Sequence, residues 1–304
     1  MGSKRKLASK IVSHILDYNP KCKYFYDLFG GGASISLEAL QRSQLKKVYY
    51  NELNTGVVNL LKKIRDDGVT PEFYEWVSRE DFARLKDGDD WKSGLVKVCW
   101  SFGNNVKKGY MYGKEKEPLK KTMHYIIAEK CLKSLEFFNN HFDVDLSINE
   151  LTGSSINERR IQMQRYMTKN VKDWTSSRHI FEHIESLERL ERLEHLERLH
   201  LQGLEISNLT YENVKIETPE DETIIYCDPP YKGTSSYQCG DFDHNKFYNW
   251  CTASNYKIYV SEYKSPLYKI VDFYHRTKMS ATAHKETLEG LFCNREEDNS
   301  FDLF

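Results

Sequence analysis

Apolar residues along the chain fall into two kinds of pattern: short dense runs, and longer stretches in which they recur among charged residues. Lys23-Tyr-Phe-Tyr-Asp-Leu-Phe29 is a dense run that ends in three glycines, and Ala33 to Leu40 after it has helical spacing. Lys47-Val-Tyr-Tyr-Asn51 predicts a second strand, and Val57 to Ile64 a second helix. Strand, glycine turn, helix, strand, helix is the rhythm of parallel strands joined by crossover helices. The rhythm resumes at Thr223-Ile-Ile-Tyr-Cys227 and runs through Lys257-Ile-Tyr-Val-Ser261, Lys269 to Tyr274 and Leu288 to Cys293. The last two runs are close enough to form a hairpin. The expected fold class is α/β.

Between Lys62 and Gly203 the pattern changes to long, charged, helix-favouring segments broken by one aromatic loop rich in glycine and asparagine. An inserted helical domain is the simplest reading. Within it, Leu187 to Leu199 is a repeat with leucine at 187, 190, 193, 196 and 199. A period of 3 lags a helix of 3.6 residues per turn by about 60° at each step, so these leucines spread around the helix and form no coiled-coil seam. The repeat, 187–200, predicts a charged connecting helix without a catalytic role.

Composition adds limits. The 304 residues carry 44 Lys and Arg against 45 Asp and Glu, a formal net charge of -1. No run approaches the roughly 18 apolar residues needed to cross a bilayer, and the first residues show no apolar signal region. Seven cysteines lie scattered without a C-x-x-C pair. A cytoplasmic protein with no membrane span, no disulfide framework and no metal is expected. The near-zero charge is a cancellation. Lys107, Lys108, Lys114, Lys116, Lys120, Lys121 and Lys130 form one basic stretch, and Arg159, Arg160, Arg165, Lys169, Lys172 and Arg178 a second. Taken alone, such stretches are more often a pair of solvated helix faces than a binding surface.

Candidate chemistry sits at the ends of the predicted strands. Asp27-Leu-Phe29-Gly30-Gly31-Gly32-Ala33-Ser34 lets the backbone turn tightly and approach a ligand. It lacks the third glycine of a dinucleotide fingerprint and the lysine of a P-loop. Glu52, just after the second strand, is placed to accept ribose hydroxyls. Together they suggest an adenosine-containing cofactor with no pyrophosphate to cradle, a description that S-adenosylmethionine matches. The most specific motif is Asp228-Pro229-Pro230-Tyr231 after an apolar strand. The prolines stiffen the loop; the Asp228 carboxylate and the Pro229 carbonyl offer two acceptors, and Tyr231 a ring, which together suit a planar exocyclic amine.

Asp-Pro-Pro-Tyr after a Phe-Gly-Gly-Gly turn resembles the adenine-specific DNA methyltransferases, in particular the Dam-like group of bacteria and phages. Gly2-Ser3-Lys4 is similar to the segment with which that family closes its cofactor pocket, and Ser101 to Gly113 to the asparagine- and glycine-rich loop of its DNA-reading region. Ile206 to Tyr211 falls where the family has an acidic or polar residue and an aromatic that hold the cofactor's adenine, although Thr210 is not acidic; Val260 to Tyr263 and Glu289 to Phe292 resemble its late strands.

The resemblance implies a doubly wound, mostly parallel sheet of the S-adenosylmethionine-dependent methyltransferase type. Residues 1–61 and 204–304 would form the catalytic domain, and 62–203 an inserted, mainly helical DNA-recognition domain. Asp228, Pro229, Pro230 and Tyr231 become catalytic candidates for methyl transfer to N6 of a flipped-out adenine in double-stranded DNA. Lys4, Asp27, Phe29, Gly30, Gly31, Gly32, Ala33, Ser34, Glu52, Thr210, Tyr211 and Asp228 become candidates for cofactor binding. Asn104, Asn105, Lys107, Lys108, Tyr110, Tyr112, Arg159 and Arg160 become candidates for DNA contact. A monomer is expected, with a cognate restriction endonuclease as a candidate partner.

Two other classes share part of the pattern. Methyltransferases acting on RNA or on a protein amide usually carry Asn in place of Asp228 and lack so long an insert. A non-catalytic DNA-binding phage protein would need neither Glu52 nor the Asp228 motif.

Overall fold

A computed structural model of the chain describes residues 4–102, 106–171, 187, 189, 201–231, 242–278 and 284–296. The chain divides into two compact units, Gly2–Val58 with Leu201–Phe304, and Asn59–His200.

The first unit is built on a seven-stranded sheet of β1 (Tyr24–Asp27), β2 (Lys47–Asn51), β3 (Leu204–Ser207), β4 (Thr223–Cys227), β5 (Lys257–Glu262), β6 (Tyr268–Lys278) and β7 (His284–Cys293). Their spatial order is β3-β2-β1-β4-β5-β7-β6. Neighbours from β3 through β5 are parallel, and β7 is antiparallel to both β5 and β6. All five residues of β4, Thr-Ile-Ile-Tyr-Cys, are buried, as a strand covered on both faces requires. On one face Tyr26, Leu28, Ile225, Cys227, Ile258 and Val260 pack with Phe247 and Cys251 of a late helix, His244–Ala253. Near the N-terminus α1 (Ala8–Asp17) buries Ile11, Val12, Ile15 and Leu16, one apolar stripe. After β1 comes α2 (Ser34–Leu40), and after β2 comes α3 (Thr55–Asp67). The strand order reverses direction between β1 and β4, so the crevice of this sheet opens where those two strands end.

The expected hairpin forms, and it is longer than the apolar pattern indicated. Beyond Gly290↔Glu262, where β5 ends, β6 and β7 continue to pair from Phe273↔Glu289 out to Lys278↔His284. Among the described residues no strand pairs with that extension on the β5 side, and Tyr274 is 75% exposed.

The second unit contains α4 (Arg79–Leu85), α5 (Trp91–Cys99), α6 (Glu117–Glu129), α7 (Leu132–Phe142) and α8 (Ile156–Asn170). Ser78, Asp90 and Ser155 cap α4, α5 and α8 by accepting N–H bonds from their first turns. Its centre is aromatic: Trp76, Trp100, Tyr110, Tyr112 and His124 form a connected set of ring contacts. Burial lowers the His124 pKa to about 4, so the imidazole is neutral there and bonds to the Tyr74 carbonyl at 2.6 Å. Of the Leu-Glu-Arg repeat, only Leu187 and Arg189 are described; both are buried, and Arg189 donates to the carbonyls of Val98 and Ser101. The rest of the repeat lies outside the described residues. The late helix His244–Ala253 is α9. No helix among the described residues is long and apolar enough to cross a membrane.

Candidate active site

The glycine turn after β1 is shaped by what lies beneath it. A Cβ on Gly30 would sit 2.2 Å from the Tyr50 ring, so only glycine permits the backbone to lie on that ring. Above the turn there is space: a Cβ on Gly32 would meet nothing within 4 Å. Gly31 and Ala33 adopt left-handed φ of 48° and 60°, and Tyr50 closes the arrangement by donating its hydroxyl hydrogen to the Gly31 carbonyl at 2.8 Å. Ala33 and Ser34 begin α2.

At the end of β2, Asn51 ties three strand ends together. Its amide donates to the carbonyls of Leu28 and Leu209, and its oxygen accepts from the Leu209 N–H and the Ser207 hydroxyl. In the sequence Asn51 carries no signal that separates it from its neighbour Glu52. Glu52 accepts from the N–H groups of Gly31 and Asn54, both at 2.8 Å. It therefore reaches across from the β2 end to the glycine turn. Burial raises its pKa, and those backbone bonds pull it back.

Asp27 lies under the turn rather than in it. It is 1% exposed and accepts a bond from the Ser36 hydroxyl at 2.7 Å, joining β1 to α2. Its side chain therefore sets the position of the turn. Burial pushes its pKa to about 7. A carboxyl raised from 3.8 to about 7 holds its proton longer in the folded state, so the stability it contributes is complete below pH 4 and is lost as pH rises through 7. Asp27→Asn should remove this slope. Unfolding free energies of the two proteins from urea titrations should diverge between pH 4 and 7 by an amount on the order of 4 kcal/mol; parallel profiles would contradict the assignment.

After β4, the chain leaves the sheet as Asp228-Pro229-Pro230-Tyr231. Cys227 points into the core cluster and is fully buried, while Asp228 at the rim keeps 20% of its side chain exposed. The Lys4 ammonium is 2.9 Å from Asp228 Oδ1 and 2.5 Å from Glu289 Oε1, and it also donates to the Tyr231 hydroxyl. The Tyr231 hydroxyl in turn donates to Glu289 Oε1 at 2.9 Å. Burial pulls the Lys4 pKa down, but the two carboxylates outweigh it and the net shift is upward. Burial raises Asp228, with Lys4 as the main opposing influence. The exposed Tyr263 ring stands edge-on to Tyr231 at 4.7 Å. Glu289 carries no signal in the sequence beyond its membership of a late strand.

Phe29 and Tyr211 stack at 5.5 Å between ring centroids, with Phe242 and Phe247 edge-on to Phe29. Thr210 is exposed just before Tyr211.

The expected DNA contacts fare differently. Asn104 and Asn105 lie outside the described residues. Lys107 and Lys108 are exposed in the short turn Val106–Lys108. Tyr110 donates to the Val77 carbonyl at 2.8 Å and Tyr112 stacks on Trp76 at 5.5 Å, which places both rings in the aromatic centre. The Arg159 guanidinium donates to the carbonyls of Ile127 and Ala128 in the last turn of α6 and to those of Gly153 and Ser154 just before α8. Arg160 donates to Asn157 on the same helix.

The strand order with its antiparallel β7, the glycine turn beside an acidic β2 end and the proline-stiffened loop after β4 together define an S-adenosylmethionine-dependent methyltransferase. A family model for D12 class N6 adenine-specific DNA methyltransferases matches residues 1–266, and the chain belongs to that family. It is therefore an enzyme that methylates adenine N6 in DNA with S-adenosylmethionine as methyl donor. Comparison with curated proteins gives no match. The crevice fits that donor. The turn is open above Gly32, and two bonds do not exhaust the roughly four lone-pair sites of the Glu52 carboxylate. The rim also carries Glu52, Asp228 and Glu289 against Lys4, a balance that favours a cationic ligand. Among the described residues no cluster of His, Cys, Asp or Glu could hold a metal ion.

Proposed function

We propose that the crevice between the ends of β1 and β4 takes a single adenine flipped out of double-stranded DNA and methylates its amino group directly, with no covalent enzyme intermediate. The observation that carries this reading is the position of Asp228 and Tyr231 beside the glycine turn on one rim. Adenine's amine is a poor nucleophile because its lone pair is delocalised into the ring. Asp228 and the Pro229 carbonyl accept its two hydrogens and return electron density to nitrogen, while Tyr231 offers a face for the unstacked base. The bound cofactor supplies an electrophilic methyl group on a sulfonium. Rate then comes from positioning and electrostatics rather than from a strong base. Glu52 holds the ribose, Tyr211 and Phe29 contact the adenine ring, and Lys4 closes the pocket.

The helical unit reads DNA. Lys107 and Lys108 make phosphate contacts in this reading, and the loop that contains Asn104 and Asn105 contacts bases. A monomer working with or without a restriction endonuclease fits the same reading.

Methylation of unmodified genomic DNA with purified protein, mapped by single-molecule sequencing, tests it. Modified adenines confined to one short sequence context are expected. Modification scattered over adenines regardless of context would refute site-specific recognition, and modification confined to single-stranded DNA would refute the duplex as substrate.

A further inference from the structure

The match to the family ends at residue 266, and Glu289 lies beyond it, on β7. Its position is set by the sheet. Gly290 pairs with Glu262, the last residue of β5, and a Cβ there would lie 2.6 Å from the Phe292 ring and 3.2 Å from the Glu262 carbonyl. The backbone is thus pressed against β5 at Gly290, and Glu289, its neighbour on the N-terminal side, is the first β7 residue past the end of β5. That places a carboxylate of 4% residue exposure over the rim that carries Asp228.

An ammonium has three donors and no acceptor. Lys4 directs them to Asp228, Glu289 and the Tyr231 hydroxyl, and Tyr231 passes its own hydrogen to Glu289. Glu289 therefore accepts from two groups whose roles lie elsewhere. One is the tyrosine whose ring faces the base; the other is the cation for which Asp228 would otherwise be the one carboxylate partner among these residues. A cation wholly given to Asp228 would compete with the incoming amine for the same carboxylate.

We propose that Glu289 is a positioning residue of the methyl transfer: it anchors the Tyr231 ring through its hydroxyl and shares Lys4 with Asp228, leaving Asp228 able to accept the target amine. The proposal rests on the reading of Asp228 and Tyr231 given above. It gives Glu289 no contact with substrate or cofactor.

Glu289→Ala and Glu289→Gln in the full chain test it, with Asp228→Ala as reference, using a duplex that carries the mapped recognition site. Glu289→Ala should lower kcat by about 10-fold or more while KM for S-adenosylmethionine stays within about threefold. Fluorescence of 2-aminopurine at the target position should change with it, because the ring that receives the base is no longer held. Glu289→Gln keeps an oxygen for Tyr231 and Lys4 and should restore most of kcat. It also removes a negative charge that raises the Asp228 pKa, so the acid limb of its kcat profile should move to lower pH. A folded Glu289→Ala with native kcat and 2-aminopurine signal overturns the proposal. If that variant does not fold, Glu289→Gln decides alone: a displaced acid limb supports the proposal and an unmoved one overturns it. Activity retained by Asp228→Ala would instead overturn the reading of the site on which the proposal stands.

Discussion

Asp228→Ala is expected to lower methyl transfer by about a thousandfold or more, to the limit of detection, while the protein binds its DNA site with near-native affinity. Losing one preorganised hydrogen-bond partner at a reacting centre typically costs 10²- to 10³-fold, and in the proposed role Asp228 also supplies the charge that raises the nucleophilicity of the amine. The fold should survive. Lys4 keeps Glu289 and Tyr231 as partners, and Asp228 itself is not a core residue, with 20% of its side chain exposed. Single-turnover methylation and fluorescence anisotropy on one duplex separate the two effects. Comparable turnover in the variant would refute the acceptor role, and a matching loss of DNA affinity would show that Asp228 binds rather than activates. Asp228→Asn should fall between native and alanine, because its amide oxygen accepts one hydrogen but carries no charge.

Much of this site was readable in the sequence because its parts obey short-range rules. The glycines at 30, 31 and 32, the acid after a strand at Glu52 and the prolines at 229 and 230 each constrain the backbone within a few residues. Parallel strands then bring their carboxyl ends together without further instruction. The strands themselves were legible for a related reason: the buried faces of β1, β2, β4 and β5 leave an apolar signature in the residues.

Long-range partners left no such trace. Glu289 stands 285 positions after Lys4, and only the antiparallel placement of β7 beside β5 makes them neighbours. Asn51 looked like one more polar residue beside Glu52, although it joins the ends of β1, β2 and β3. The helical unit misled in a different way. A count of lysines, arginines and tyrosines treats every one as surface. Yet Arg159 is spent on four carbonyls, Lys120 is 3% exposed, and Tyr110 and Tyr112 line an aromatic centre. Amphipathic side chains bury their bodies and find partners for their polar ends, and composition does not distinguish that use from a binding face.

Glu52→Ala separates cofactor affinity from DNA affinity, and its expected effect is the second largest. Hydrogen bonds to a charged group contribute about 1.5–3 kcal/mol each. Loss of the ribose contact should therefore weaken S-adenosylmethionine binding by about 100-fold, on the order of 2.7 kcal/mol. A second consequence points the same way. The Gly31 and Asn54 N–H groups lose their shared acceptor, so the glycine turn that approaches the ligand is less firmly held. Glu52→Gln should do little better, since an amide nitrogen facing one of those N–H groups offers no lone pair. Calorimetric titration with S-adenosylmethionine reads the affinity directly, and anisotropy with the duplex supplies the contrast. Weakened cofactor binding with unchanged DNA affinity supports the assignment. A defect confined to DNA would mean that Glu52 faces the nucleic acid, and the ribose would then need another acceptor on the rim.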